Sequence, residues 1–185
     1  RVVVDWYYKV INRNGRKVLH YARFVGHELL FSSENLPEYE DKGWYWHGNE
    51  PCHQIPYLYD AAGAPEKTQE RVHHILNTEY NDTPGGLSGN DDAGQMSAWY
   101  VFSSIGFYPV CPGTPEYYIG TPSFDKVTLN LENGKRFVLS AQRRKADDYL
   151  IQSTTLNGNP WSDYRISHQQ ILQGGELHFE MKAMK

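Results

Sequence analysis

Two stretches of the chain gather side chains that can do chemistry. The first is Gly89-Asn90-Asp91-Asp92-Ala93-Gly94-Gln95-Met96-Ser97-Ala98-Trp99-Tyr100, in which two adjacent carboxylates stand in a glycine-flanked turn just ahead of an apolar run. Met96, Trp99, Tyr100 and Ser103 recur at helical spacing, so the pair sits at a helix N-terminus, where open N–H groups and the dipole favour negative charge. One carboxylate can cap the helix while the other, pointing elsewhere, faces a cleft as a base or a cation ligand. A plain N-cap is the commoner explanation of such a pair taken in isolation, and the glycines and rings around it are what favour the cleft. The second stretch is Trp46-His47-Gly48-Asn49-Glu50-Pro51-Cys52-His53-Gln54-Ile55-Pro56-Tyr57. Glu50 offers the hard oxygen that Ca²⁺ takes, and loop carbonyls can complete its shell. Asn49 as a helix cap with Pro51 in the first turn explains the same residues structurally. Trp99, Tyr100, Phe102, Phe107 and Tyr108 follow the carboxylates, and flat rings beside acceptors suit a sugar-binding cleft.

The elements that must position these groups follow from the apolar pattern. Residues 2–11 and 17–21 are rich in β-branched and aromatic side chains and flank Asn14-Gly15, which predicts a β-hairpin. A short helix is predicted near residues 27–31, ending before Pro37. Ala61-Ala62-Gly63-Ala64-Pro65 breaks the chain, and residues 66–76 form an amphipathic helix with Thr68, Val72, Ile75 and Leu76 on one side. Helices joined by loops that carry the charged residues match a stack of α/α hairpins with its sites at one rim. After Gly106 come short alternating runs separated by turn chemistry, with Asn133-Gly134 the clearest hairpin, so the C-terminal part reads as an antiparallel β unit. The fold class is α+β: residues 1–36 a β-hairpin and short helix, 37–110 helical with the site loops, and 111–185 the β unit.

Composition narrows the partners. The 185 residues carry a net charge of −4 with scattered Lys and Arg, which argues against nucleic acid and anionic membrane as partners. No apolar run reaches membrane-spanning length, and the chain reads as soluble and, opening at Arg1, as processed or partial. Cys52 and Cys111 are too few for a metal cluster, and their spacing does not say whether they pair. Asn81-Asp82-Thr83 fits the N-glycosylation triplet, a pattern common by chance.

Trp46-His47-Gly48-Asn49-Glu50-Pro51, His53-Gln54-Ile55-Pro56-Tyr57, the 89–99 run, Gly106-Phe107-Tyr108-Pro109, Phe124-Asp125-Lys126-Val127, Glu132-Asn133-Gly134-Lys135 and the closing 174–181 segment together resemble the C-terminal part of the calcium-dependent exo-α-mannosidases of glycoside hydrolase family 92. The resemblance spans residues 37–181 in order. It implies an α/α toroid and an enzyme that removes terminal α-linked mannose from glycans with inversion, in the periplasm, at the cell surface or in secretions. It implies Asp92 as the base, Asp91 as its helper or alternative, Glu50 as the calcium ligand, and His47, Asn49 and Gln95 as sugar contacts or as residues that support those contacts from behind. An inverting hydrolase needs a carboxylate base for water and an acid on the opposite side of the sugar. The family's acid, a Glu beside Trp-Gln-Tyr, has no match in residues 1–36, so an upstream part of the enzyme is an expected partner. The alternative is a mannose-binding or structural fragment without hydrolysis.

Overall fold

A computed structural model describes the backbone of residues 5–11, 17–25 and 28–33 and the whole of residues 45–183. Strands β1 (Asp5–Ile11), β2 (Lys17–Val25) and β3 (Glu28–Ser33) form an antiparallel meander. The predicted hairpin is β1–β2, with Ile11 opposite Lys17; its Asn14-Gly15 turn lies outside the described residues. The predicted helix near residues 27–31 is instead strand β3. Pairing along β2 gives this six-residue segment a full row of backbone hydrogen bonds on its inner edge, whereas one isolated helical turn leaves most of its donors and acceptors open.

From Tyr45 the chain runs through two 3₁₀ turns, Glu50–Cys52 and Ile55–Tyr57, into the single turn α1 (Leu58–Ala61). Pro65 then opens α2 (Pro65–Thr78), its fixed φ suiting the first helical position. The predicted stripe of Thr68, Val72, Ile75 and Leu76 faces inward, with Gln69 beside it. Helix α3 (Gln95–Ile105) buries Met96, Trp99, Ser103 and Ser104. Tyr100, also expected inside, is 40% exposed and covers only the rim of the core, its ring 4.8 Å from that of Tyr80.

Gly106, at φ 119°, ends α3 and turns the chain into β4 (Phe107–Tyr108). There follow β5 (Glu116–Ile119), β6 (Lys126–Asn130), β7 (Arg136–Gln142), β8 (Leu150–Leu156), β9 (Asn159–Pro160), β10 (Arg165–Ser167), the short α4 (His168–Leu172) and β11 (Gly175–Lys182). They make a small sheet, β10-β5-β4, and a five-stranded one, β6-β7-β11-β8-β9. The Asn133-Gly134 hairpin joins β6 to β7 as expected. One feature departs from the antiparallel expectation: β11 lies between β7 and β8, parallel to the first and antiparallel to the second. Alternation marks a strand but carries no record of its neighbours, and the long connection from β7 to β11 permits a parallel return.

Phe137, Leu139 and Ala141 of β7 and Leu177, Phe179 and Met181 of β11 point to one face and form the main core with Phe107, Ile119, Ile166 and Ile171. Each fully buried Leu or Phe there stabilises the fold by about 1.5–3 kcal/mol. Helix α2 docks on this unit through polar contacts: the Ile151 N–H donates to Gln69 Oε1 at 2.8 Å, the His73 and Tyr149 rings stack at 4.0 Å, and Lys182 pairs with Glu66 at 2.7 Å. The β unit is therefore a base on which the helices, and the loops at their ends, are held.

Candidate active site

The two chemically dense stretches meet backbone to backbone. A Cβ on Gly48 would stand 2.5 Å from the Ser88 carbonyl oxygen, and one on Gly89 would stand 2.5 Å from the carbonyl oxygen of Gly48. Real side chains cannot approach that closely, so glycine at both positions is what lets the 46–50 and 87–92 loops touch.

Within the second loop the neighbouring carboxylates diverge. Asp91 Oδ1 accepts from the Ser97 N–H and Asp91 Oδ2 from the Ser97 hydroxyl, both at 2.9 Å, so Asp91 satisfies an open donor in the first turn of α3. The cap position itself is Gly94, at φ 89°, which has no side chain to offer. Asp92 at φ 43° and Ala93 at φ 59° precede it, giving three successive left-handed residues. Asp tolerates that region better than most residues and Ala does not, so strain is stored beside the exposed Asp92 carboxylate, a pattern met at functional sites.

On the facing loop, Glu50 Oε1 is buried and has no hydrogen-bond partner. An oxygen withdrawn from water without a partner is unfavourable unless something binds it, and a carboxylate oxygen suits a hard cation. Glu50 thus fits a calcium ligand; among the described residues, no three His, Cys, Asp or Glu side chains cluster closely enough to hold a metal by themselves. Asn49 has the extended backbone of a cap residue ahead of Pro51, but its side chain caps nothing and lies 3.5 Å from Cys52 Sγ. Cys52 is buried and Cys111 exposed, and neither is in a disulfide.

His47 and His53 lie beneath these loops against Trp99. The imidazoles stack at 4.6 Å, and the Trp99 ring meets His47 edge-on at 4.3 Å. The indole N–H donates to the His53 carbonyl at 3.0 Å. His47 is 1% exposed, and both of its ring nitrogens are taken by the hydroxyls of Tyr45 and Tyr80. Burial, reinforced by His53, pushes the His47 imidazole down to about 3, so it is neutral at physiological pH. His53 is likewise lowered by burial, against the opposing effect of its bond to the His47 carbonyl. That carbonyl can only accept, so His53 Nε2 carries the proton and Nδ1 is left to accept from the Gln95 amide at 3.3 Å. Gln95 also donates to the Tyr108 hydroxyl at 3.2 Å. Gln95, His47 and His53 are thus brought together, whereas no hydrogen bond among the described residues joins Asp92 to Glu50.

Several roles here carried no signal in the sequence. Tyr80 belongs to no motif and Tyr108 reads only as one of the rings after the carboxylates, yet their hydroxyls complete the polar net, and burial pushes the ionisation of both upward. Ser88 holds a second buried oxygen without a partner next to the Gly48–Gly89 contact. Asp60, in α1, is fully buried, and burial raises its carboxyl to about 8 against the weaker opposing effect of the Thr68 hydroxyl.

The sequence profile of the glycosyl hydrolase family 92 catalytic domain matches residues 25–183. The chain belongs to glycoside hydrolase family 92. Among solved structures it is similar to the family 92 inverting mannosidase BT2199 of Bacteroides thetaiotaomicron, at 47% identity and a TM-score of 0.73 over 78% of this chain and 20% of that one. It is also similar to the α-mannosidase BT3965 of the same organism in complex with mannoimidazole, at 38% identity and a TM-score of 0.75 over 82% and 20%. An uncharacterized secreted glycosidase of Arthroderma benhamiae is 34% identical over 72% of this chain and 18% of its own length. The chain therefore spans about a fifth of the length of these family 92 relatives. No helix among the described residues is long and apolar enough to cross a membrane.

Proposed function

We propose that this chain carries the base side and the cation side of an inverting, calcium-dependent α-mannosidase site that acts on terminal mannose of glycans. The observation behind this reading is the Gly48–Gly89 contact, because it joins the loop bearing Glu50, with its unpartnered buried oxygen, to the loop bearing the exposed Asp92. Asp92 takes the proton of the attacking water, and Asp91, tied to Ser97, keeps the turn in register. Glu50 is the residue that would hold calcium, which when bound supplies Lewis acidity toward mannose hydroxyls. Asn49 and Gln95 lie within reach of the same rim, and Gln95 is oriented by His53 and Tyr108. The engaged nitrogens of His47 favour a supporting role over sugar contact. In this reading α2 and α3 form one hairpin of an α/α toroid. A secreted relative supports a location in the periplasm, at the surface or outside the cell.

A second reading, mannose binding without hydrolysis by these residues alone, fits a chain that spans about a fifth of the length of its relatives. Calorimetric titration of mannose into the 185-residue chain, in calcium and then in chelator, separates the two when combined with an assay for mannose release from an activated α-mannoside. Calcium-dependent binding with release supports the first reading, and binding without release supports the second. Neither reading survives if calcium and mannose both fail to bind.

A further inference from the structure

The 46–50 and 87–92 loops approach closely at the backbone of Gly48, Ser88 and Gly89, and a hydrogen-bonded line at their roots bears on how they sit. The Tyr45 hydroxyl lies 2.8 Å from His47 Nδ1, His47 Nε2 lies 2.6 Å from the Tyr80 hydroxyl, and that hydroxyl lies 3.0 Å from the Met96 carbonyl in the first turn of α3. The line can run only one way. A carbonyl only accepts, so Tyr80 gives its proton to Met96; its oxygen is then free to accept from His47 Nε2–H, which leaves Nδ1 to accept from Tyr45. The Tyr80 hydroxyl both accepts and donates, each His47 nitrogen has one partner in the line, and a single neutral tautomer of His47 satisfies it.

We propose that His47, acting through Tyr80, is a positioning residue that fixes the Glu50 loop against the N-terminal turn of α3 and so sets the cation side of the site relative to its base side. The inference rests on the reading of Glu50 as the cation ligand. His47 stands three residues before Glu50, and Met96 stands four after Asp92. The line therefore connects the roots of both loops. Trp99 holds the imidazole from the side, and the Tyr80 ring stacks parallel to Trp99 at 6.0 Å, so the ring of Tyr80 is kept in place independently of its hydroxyl.

That separation of ring from hydroxyl makes the test clean. Tyr80→Phe removes one oxygen from the middle of the line and leaves the stacking. Terbium binding to the 185-residue chain, read by tryptophan-sensitised luminescence and by competition with calcium, would be compared for wild type, Tyr80→Phe, Tyr45→Phe and Glu50→Gln, with metal-free melting curves beside it. Tyr80→Phe is expected to weaken metal binding about tenfold or more, as loss of a supporting contact behind a metal ligand commonly does. Tyr45→Phe should have a smaller effect of the same sign, and nitrogen-15 spectra should show the His47 ring leaving its single Nε2–H tautomer in Tyr80→Phe. If Tyr80→Phe melts lower but binds metal as wild type does, while Glu50→Gln does not bind, the positioning role is overturned and the cation reading stands. If Glu50→Gln binds as tightly as wild type, the cation reading falls and this inference falls with it.

Discussion

The core between β7 and β11 and the core around Trp99 are both deeply buried, yet they treat polar atoms differently. The first is filled by Phe137, Leu139, Leu177, Phe179 and Met181, with its polar groups on the outer face of the sheet. The second packs Tyr57, Val72, Ile75, Trp99 and Tyr108 against two neutral histidines. All six buried side-chain atoms that lack a hydrogen bond of normal geometry, on Glu50, Asp60, Thr68, Ser88 and Ser104, belong to the helical part among the described residues, with the Thr68 hydroxyl only near enough to Asp60 to ease its ionisation. A fold that needed only stability would satisfy or remove them. The β unit is built to be stable, and the helical unit accepts unfavourable burial and left-handed backbone at the rim where a ligand is proposed to bind.

The sharpest way to test that contrast is to mutate one half for function and the other for stability. Asp92→Asn, in an active family-length enzyme, should lower kcat by roughly 10²–10⁴, the usual contribution of a general base. Melting temperature should hardly move, because the carboxylate is exposed and Asn accepts the same left-handed φ. Turnover near wild type would remove Asp92 from the mechanism. Phe179→Ala should do the reverse, destabilising the chain by about 3–5 kcal/mol in denaturant titrations while metal affinity of the remaining folded fraction is kept. Loss of affinity in that fraction would mean the two units are not separable.

Smaller effects refine the boundary. Gly89→Ala sets a Cβ against the Gly48 backbone, with an expected loss of about 1–3 kcal/mol and weakened metal and sugar binding, because the loops must part. Wild-type binding by that variant would show that the glycine contact does not define the site. The pH dependence isolates Asp60. Its carboxyl is raised to about 8 from an ordinary 3.8, so between those values the folded chain holds a proton that the unfolded chain has released, and stability falls as pH rises. His47, lowered to about 3 from 6.5, acts oppositely below pH 6.5, where unfolded imidazole takes up a proton that the folded form refuses. Above pH 6.5 the Asp60 effect is unopposed by His47, and melting should drop by a few degrees from pH 6.5 to 8, for roughly 1–2 kcal/mol. Asp60→Asn should flatten that drop, and an unchanged slope would assign it to other groups.

Much of this was legible in the residues. The Asn133-Gly134 hairpin, the α2 stripe and the start of α3 at Gln95 followed from local chemistry, since turns, caps and helical periodicity depend on near neighbours. The strand at residues 28–33 and the parallel placement of β11 were not legible, because each depends on which edge a distant strand leaves free. The division of labour within Asp91-Asp92 was open for a similar reason. Either residue could cap; the loop geometry ties Asp91 to Ser97 and leaves Asp92 exposed.

By itself, then, the order of residues determined the chemical inventory: a carboxylate pair before a helix, an oxygen donor on a proline-stiffened loop, rings around both, and enough motif to resemble one family. Tertiary structure decided which of those groups meet. Gly48 reaches Gly89 across forty-one positions, and Tyr80 reaches His47 across thirty-three, because two glycines allow backbones to touch and one buried aromatic cluster holds the hydroxyls in line. Such contacts leave no periodic trace in a sequence, since each is a single residue whose partner is fixed only when the core closes around Trp99.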